Sequence, residues 1–410
     1  MPVDRLHRTL GEHLEELEEK GTLKGRETVI SAVVPARGEK GPRYRLEGHG
    51  DKEFVKMSSN GYLGLSLHPE VIAAEEEASR EYGTGPGAVR FISGTYRQHV
   101  ELERRLAAFH GREAAMAFSS AYATVMGILP PLITDETVVV SDELNHNCII
   151  NAMRLARPAA KAVYAHNDVK KLEGALAQAV GTARRAIVVT DGIFSMRGDH
   201  APLGSIIDLA KRYDAEFPEN VVVVVDDSHG VGAFGKTGRG TEEYCGCRAD
   251  LLVATLGKAL GVNGGYVVGS ETAIRFLRET SPFYIYSNPI TPAEAAAAGK
   301  ALEIVDSDEG RRLLGHLHDV TKRFEKGLVN LGYETIPGDH PVTPLMVRDT
   351  AKTGRLVAHL KQHGVLATGL KFPVVPKGDE TIRFQVSADH TEADIDFVLS
   401  VLEEWSEREK

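Results

Sequence analysis

Residues 221–240 read VVVVVDDSHGVGAFGKTGRG, in which five valines lead into Asp226-Asp227-Ser228-His229. A short run that is apolar on both faces predicts a strand covered by helices on each side of its sheet. Six further runs have the same character: AAMAF (114–118), TVVVS (137–141), KAVYA (161–165), AIVVT (186–190), LLVATL (251–256) and GYVVG (265–269). With helical or loop segments between most of them, the seven runs predict an α/β fold with a mostly parallel sheet.

Polar residues follow directly after several of these strands, at 142–146, 191–195, 226–229 and 257–258. Ligands of open α/β sheets bind at the carboxyl ends of the strands. The pattern therefore predicts a site at that edge of the sheet.

The glycines after the valine run raise a rival interpretation, a nucleotide-binding loop. Residues 230–237 match G-x-x-x-x-G-K-[ST], and Gly230, Gly232 and Gly235 match G-x-G-x-x-G. A phosphate loop follows its strand directly and starts a helix at its Lys-Thr pair. Here polar residues separate the strand from the first glycine, and two more glycines follow Thr237, where each would disfavour a helix by about 1 kcal/mol. The glycines are better explained as tight turns that pass close to a bound group.

Composition excludes several other classes of protein. The chain has 410 residues, enough for two or three domains, and its net charge of −10 disfavours binding to nucleic acids or membrane surfaces. We find no apolar run of about 20 residues and no apolar core of a signal peptide, so we expect a cytoplasmic protein. Three cysteines suggest a reducing compartment, and Cys245-Gly-Cys247 has no second pair with which to form a metal site, so we expect no metal.

Lys258 changes the interpretation of Asp226 and His229. By themselves, those two residues are explained as a strand-end cap and a polar histidine on a turn. Lys258 lies 32 positions after Asp226, within TLGKALG (255–261), at the end of the next strand. Burial lowers the pKa of a lysine and makes it a nucleophilic amine. A lysine and an aspartate at neighbouring strand ends are the pair that pyridoxal phosphate (PLP) needs, for covalent attachment and for its ring nitrogen.

The chain resembles the α-oxoamine synthases, which are PLP enzymes with the aspartate-aminotransferase fold (fold type I). The resemblance covers roughly residues 5–405. It rests on an ordered series of stretches: SSNGYLGL (58–65), VRFISGT (89–95), the ELE of 101–103, SDELNHNCII (141–150), DGIFSMRGD (191–199), VDDSHGVGAFGKTGRG (225–240), TLGKALG (255–261), YSNP (286–289) and TIRFQVSA (381–388).

The resemblance implies roles around the PLP ring. Lys258 would carry PLP and act as the base at the substrate Cα, and Asp226 would pair with the ring nitrogen. His229 would contact the phenolic oxygen, with Ser195 beside it, and His146 would stack on the ring as a neutral imidazole. Because side chains alternate along a strand, Asp227 would point away from the ring.

The resemblance also implies contacts to the phosphate and to the substrate. The PLP phosphate would lie at the start of the helix after AAMAF, and Asn60 and Arg383 would bind the amino-acid carboxylate. The residues implied for the phosphate region are Ser120, Ala121, Tyr122 and Thr255, with Ser287 and Asn288 reaching across a homodimer interface.

The implied reaction joins a small amino acid to an acyl-CoA, with release of CoA. Within the family, GRGTEEYC and YSNP look most like glycine C-acetyltransferase, which uses glycine and acetyl-CoA. Departures at 121–124, 84–87 and 261–263 make a different or broader acyl-CoA an alternative, with 8-amino-7-oxononanoate synthase (alanine and pimeloyl-CoA) the close rival. An aminotransferase on the same fold is the rival from another mechanistic class.

The expected organisation is an N-terminal helical arm with a small hairpin (1–55), a large PLP-binding domain (56–290) and a C-terminal α+β domain (291–410). Residues 4–20 are expected to form an amphipathic helix, and residues 34–52 a loop or short hairpin.

Overall fold

The computed structural model describes residues 3–20, 22–23, 25–372 and 374–408, so the outermost residues of the first and third expected domains lie outside it. The strands are β1 Ile30–Val34, β2 Arg43–Leu46, β3 Glu53–Lys56, β4 Ala114–Phe118, β5 Thr137–Asp142, β6 Ala160–Tyr164, β7 Arg185–Asp191, β8 Val221–Asp226, β9 Leu251–Thr255, β10 Gly265–Gly269, β11 Glu334–Thr335, β12 Val342–Met346, β13 Val365–Leu366, β14 Thr368–Leu370 and β15 Thr381–Gln385.

The α-helices alternate with the central strands and then dominate the last third of the chain. They are α1 Asp4–Glu19, α2 Pro69–Tyr82, α3 Arg97–Phe109, α4 Ala121–Leu132, α5 Asn147–Ala156, α6 Val169–Ala179, α7 Leu203–Tyr213, α8 Thr241–Cys245, α9 Glu271–Thr280, α10 Pro282–Ile285, α11 Pro292–Val305, α12 Asp308–Asn330, α13 Thr350–Gln362 and α14 Glu392–Arg408. Within the described ranges, no helix is long and apolar enough to cross a membrane.

A seven-stranded sheet forms the centre of the described structure, in the order β4-β10-β9-β8-β7-β5-β6. Neighbours from β9 to β6 run parallel, whereas β10 runs antiparallel to both β9 and β4. The predicted mostly parallel sheet is therefore confirmed. Each of the seven apolar runs is a strand of this sheet, with its ends within one residue of the expected ones.

The valine run explains why this sheet is rigid. Val223 and Val225 point into the core cluster on one face, and Val224 points into the cluster on the other. Full burial of a valine side chain contributes about 1.5–3 kcal/mol, so a strand buried on both faces is held firmly in register. The polar residues at the end of this strand are therefore held in a fixed position.

The described structure also contains two four-stranded sheets, and the sequence patterns predicted only part of each. The antiparallel sheet β11-β12-β15-β14 lies within residues 291–410, the region expected to form the C-terminal α+β domain. Residues 34–52, expected to form a loop or short hairpin, contain the connection between β1 and β2, and these two strands pair antiparallel. β13 joins this N-terminal sheet parallel to β3. A two-residue strand such as β13 exists only through this long-range pairing, so its own sequence carries no signal for it. The domain boundaries stay a prediction.

The loop after β8 is not a phosphate loop. The backbone N–H of Thr237 and its hydroxyl both donate to the Glu243 carboxylate, at 2.9 and 2.8 Å, and the next helix begins only at Thr241. Gly232 has φ of 81°, and a Cβ there would lie 2.5 Å from the Cβ of Ala259. The glycine therefore allows this loop to pack directly on the segment that carries Lys258.

Candidate active site

The carboxyl ends of β7, β8 and β9 meet at one cavity of about 250 Å³. Asp191 and Asp226 are register partners at the ends of β7 and β8, which places their carboxyl groups side by side. The cavity lining includes most of the site residues inferred from sequence: Ser120, Ala121, Tyr122, His146, Ser195, Asp226, His229, Thr255 and Lys258. It also includes Cys148, Asp191, Ile193 and Ser228, which sequence reasoning did not single out.

The two consecutive aspartates face opposite directions, as strand alternation requires. Asp226 lines the cavity, and its Oδ1 accepts hydrogen bonds from the Ser228 backbone N–H (3.1 Å) and hydroxyl (2.5 Å). Asp227 is turned away and accepts from the backbone N–H and the hydroxyl of Thr241, both at 2.6 Å. Asp226 is therefore the aspartate available to a ligand, and Asp227 holds the following loop in place.

Lys258 has the electrostatic properties of a reactive amine. Burial lowers the pKa of its ammonium group to about 8, although the negative charges of Asp226 and Asp191 act in the opposite direction. A fraction of Lys258 is therefore unprotonated near neutral pH, the form that attacks an aldehyde.

Asp191 supplies a buried polar atom with no partner in the described part of the chain. Its Oδ2 accepts from the backbone N–H of His146 (3.1 Å), whereas its Oδ1 has no hydrogen bond. Burial, together with the charge of Asp226, raises the pKa of Asp191 well above its ordinary value.

His146 caps α5 and lines the cavity with a neutral ring. Its Nδ1 accepts from the Cys148 backbone N–H (3.3 Å) and lies 2.9 Å from Cys148 Sγ. Partial burial and the charge of Lys258 lower the pKa of the imidazole. With Nδ1 as an acceptor, the proton lies on Nε2, and the flat neutral ring suits stacking on an aromatic ligand.

The start of α4 lines the cavity and offers backbone N–H groups that suit an anion. Ser120 is the N-cap, and its hydroxyl oxygen accepts from the Ala123 backbone N–H at 3.0 Å. The N–H groups of Ala121 and Tyr122 lie in the first turn, where no intrahelical acceptor is available. Thr255 lies at the same cavity, with its hydroxyl donating to the Gly264 carbonyl at 3.1 Å. Together with the helix dipole, these N–H groups can hold a phosphate.

His229 is fixed by residues of the SSNGYLGL stretch. Its Nδ1 shares a hydrogen bond of 2.7 Å with the Tyr62 hydroxyl, which also lies 3.3 Å from Asn60 Oδ1. His340 Nε2 donates to the His229 carbonyl at 2.9 Å. Burial, followed by the charge of Lys258, lowers the pKa of His229 well below its ordinary value, so the ring is neutral.

Arg383 and Asn60, inferred as a pair, do contact each other. Arg383 Nη2 donates to Asn60 Oδ1 at 3.2 Å, and Gln385 Nε2 donates to the same oxygen at 2.6 Å. Arg383 Nε has no acceptor in the described residues, and burial lowers the pKa of the guanidinium. Neither residue lines the cavity itself, yet Arg383 is close enough to lower the pKa of Lys258. A half-buried guanidinium with free donors is suited to a carboxylate ligand.

Ser287 and Asn288 are not brought into this cavity by their own chain. The Ser287 hydroxyl reaches only the Asn288 carbonyl, at 3.4 Å, and neighbouring Tyr286 is 81% exposed. Their inferred role across a dimer interface stays a prediction.

Tyr62, Asp191 and Cys148 are among the contacts that sequence reasoning missed. Each lies inside a stretch that carried the resemblance, so the signal was present. Only the tertiary structure shows that Tyr62 contacts His229, that Cys148 contacts Asp226, and that Asp191 accepts from the His146 backbone.

The residues present fit PLP by their own chemistry. A lysine with a lowered pKa faces paired carboxyl groups, one of them with an unpartnered buried oxygen. A neutral ring lines the cavity, and a helix N-terminus offers N–H donors for the phosphate.

Comparisons with known proteins agree with this chemistry. The Aminotransferase class I and II family matches residues 52–402. An 8-amino-7-oxononanoate synthase of Bacillus pumilus is 40% identical over 87% of this chain and 89% of its own, and one of Exiguobacterium sibiricum is 39% identical over 95% and 96%. The chain is an α-oxoamine synthase.

Membership of the α-oxoamine synthases settles the cofactor and the broad reaction. PLP is the cofactor, and the family uses amino-acid and acyl-CoA-type substrates. The fold agrees with that of the serine palmitoyltransferase of S. paucimobilis, solved with PLP and myriocin. The TM-score is 0.87 at 24% identity, over 99% of this chain and 98% of that one.

Proposed function

We propose that this α-oxoamine synthase joins alanine to pimeloyl-CoA and so forms 8-amino-7-oxononanoate. The observation that carries the proposal is the name shared by the relatives, which are 40% and 39% identical over nearly the whole chain. This proposal replaces the expectation of glycine and acetyl-CoA, which neither relative's name supports. The departures noted at residues 121–124, 84–87 and 261–263 are consistent with the change.

The proposed reaction balances as a condensation with two leaving groups. A carbon–carbon bond forms between the alanine Cα and the thioester carbonyl carbon. The carbon–sulfur bond breaks, and CoA leaves as its thiol. The bond from Cα to the alanine carboxylate breaks with loss of CO₂, and a proton takes its place on that carbon. The product therefore carries the amino group beside the new ketone.

Lys258 and His229 are proposed as the groups that act on the substrates. PLP, when bound, supplies an electron sink that makes the alanine Cα–H acidic. Lys258 would attach PLP through its amine and, once the substrate amine has displaced it, would accept the Cα proton, which its pKa of about 8 suits. His229, held neutral and oriented by Tyr62, donates a hydrogen bond toward oxygen atoms of the bound groups.

The remaining site residues are proposed to bind and orient. Asp226, His146 and Ser195 all line the cavity. Asp226 would pair with the ring nitrogen of PLP, His146 would cover the ring face, and Ser195 would lie near the ring oxygen or the incoming acyl group. Arg383 and Asn60 hold the amino-acid carboxylate, for which Arg383 still has an unpaired donor.

The phosphate site at one end of the cavity is proposed to be completed by a second copy of the chain, in a homodimer. Ser120, Ala121, Tyr122 and Thr255 would surround the PLP phosphate. Ser287 and Asn288, which do not line the cavity of their own chain, would complete the phosphate site of a second copy. A cytoplasmic location stays a prediction.

The test is a substrate comparison with the purified, PLP-loaded enzyme. Alanine and glycine are each paired with pimeloyl-CoA and with acetyl-CoA. Free thiol, CO₂ and product mass are measured for every pair. We expect alanine with pimeloyl-CoA to give all three products at the highest kcat/KM.

Two outcomes would overturn the substrate assignment. Thiol release from glycine and acetyl-CoA, with none from alanine and pimeloyl-CoA, would restore the first expectation. Amino-group transfer to a 2-oxo acid in the absence of CoA would identify an aminotransferase instead.

A further inference from the structure

A second cluster of ligand-type side chains lies outside the active site, between α13 and α14. His359 lies in the last turn of α13, and His363 is the C-cap residue that follows this helix. Glu404 faces His363 from α14. One ligand atom from each of the three residues lies within 4.8 Å of the other two.

The hydrogen bonds of both histidines leave one ring nitrogen free for coordination. His363 Nδ1 lies 2.7 Å from the His359 carbonyl, so Nδ1 carries the proton and Nε2 keeps a lone pair. His359 Nε2 lies 3.1 Å from the Val401 carbonyl, which leaves Nδ1 as its free nitrogen. A ligating histidine almost always donates its other N–H to a carbonyl or carboxylate in this way.

Access to the cluster also suits a cation. His363 and Glu404 have side chains that are 25% and 54% exposed, so an ion can enter from solvent. The Glu404 carboxylate supplies negative charge, which offsets the opposing charge of Arg408 near His359.

Zinc binding requires the three ligand atoms, which lie within 4.8 Å of one another, to move closer together. Ligand atoms about 2.0–2.2 Å from a tetrahedral Zn²⁺ are roughly 3.3 Å apart. Glu404, being exposed, can approach by a side-chain rotation from its present distance of 3.8 Å to His363 Nε2. His359 is held within α13, so the C-cap residue His363 has to adjust its ring toward the ion.

We propose that His359, His363 and Glu404 form a Zn²⁺ site that links α13 to α14, with water in the remaining position. Two imidazoles and a carboxylate are ligands that zinc accepts. The bound ion joins two helices of the C-terminal region, so binding stabilises the folded chain.

The test measures zinc binding to the PLP-loaded enzyme by calorimetry, with thermal unfolding as a second readout. Wild type is expected to bind one equivalent per chain at this site, with a rise in Tm that a chelator reverses. His363→Ala and Glu404→Gln are each expected to weaken that binding at least about tenfold and to abolish the rise. Glu403→Gln, one residue away and exposed, is the matched control and is expected to behave as wild type.

The thiols need a separate control, because Cys245 and Cys247 could also take zinc. The Cys245→Ser/Cys247→Ser variant is expected to keep the equivalent. If that variant loses it while His363→Ala keeps it, the ion binds the thiol pair and the proposal is wrong. Unchanged affinity in Glu404→Gln, an exposed substitution that leaves the fold intact, would also overturn it.

Discussion

Replacement of Tyr62 by phenylalanine tests whether the buried tyrosine orients His229. The hydroxyl is fully buried and lies 2.7 Å from His229 Nδ1. Its removal leaves a buried ring nitrogen without that partner, which costs about 1–3 kcal/mol. The ring itself stays, so no large cavity forms.

The size of the rate effect follows from that free energy. At about 1.4 kcal/mol per factor of ten, loss of the whole orienting contribution lowers the rate about 5- to 150-fold. The assay is exchange of the alanine Cα proton in D₂O, followed by NMR, with thiol release from the acyl-CoA as a second measurement. The exchange assay needs no acyl substrate, so it does not depend on the proposed acyl group.

Tyr333→Phe is the matched control. The Tyr333 hydroxyl donates to the Leu402 carbonyl at 2.8 Å in the C-terminal region, away from the cavity. We expect this variant to lose comparable stability in urea unfolding while both rates stay unchanged. If Tyr62→Phe keeps the wild-type exchange rate, Tyr62 does not orient His229 for the reaction.

Four further predictions concern Lys258 and Arg383, the residue proposed to bind the amino-acid carboxylate. Lys258→Ala is expected to abolish the yellow absorbance at about 420 nm, whereas Lys236→Ala should keep it; colour retained in Lys258→Ala would remove Lys258 from the site. The rate of PLP attachment to cofactor-free enzyme should rise with pH and level off above about 8, because the pKa of Lys258 is lowered to about 8 and attachment needs the neutral amine. Asp226→Asn should move this plateau to lower pH, because the charge of Asp226 raises the pKa of Lys258. An unchanged profile would contradict this electrostatic effect of Asp226 on Lys258. Arg383→Lys should raise KM for the amino acid about 10- to 100-fold, as expected for loss of a charged hydrogen bond, while Arg348→Lys in an exposed ion pair should leave KM unchanged.

The sequence by itself determined the central sheet and the positions of the reactive residues at the ends of its strands. Strands that are apolar on both faces, such as 221–226, have only one way to be buried, and their bounds were predicted to within one residue. Because parallel strands end at the same edge, Asp226 and Lys258 could be placed at one site before any contact was known. Alternation along the strand further separated Asp226 from Asp227.

Only the tertiary structure decided the contacts between distant segments. Tyr62 reaches His229 across 167 positions of the chain, and β13 exists only through its pairing with β3. Neither follows from a local pattern, because hydrogen bonds between remote segments depend on how the elements pack. His359 and His363 stand one turn apart in the sequence, but Glu404 completes their cluster only because α14 packs beside α13.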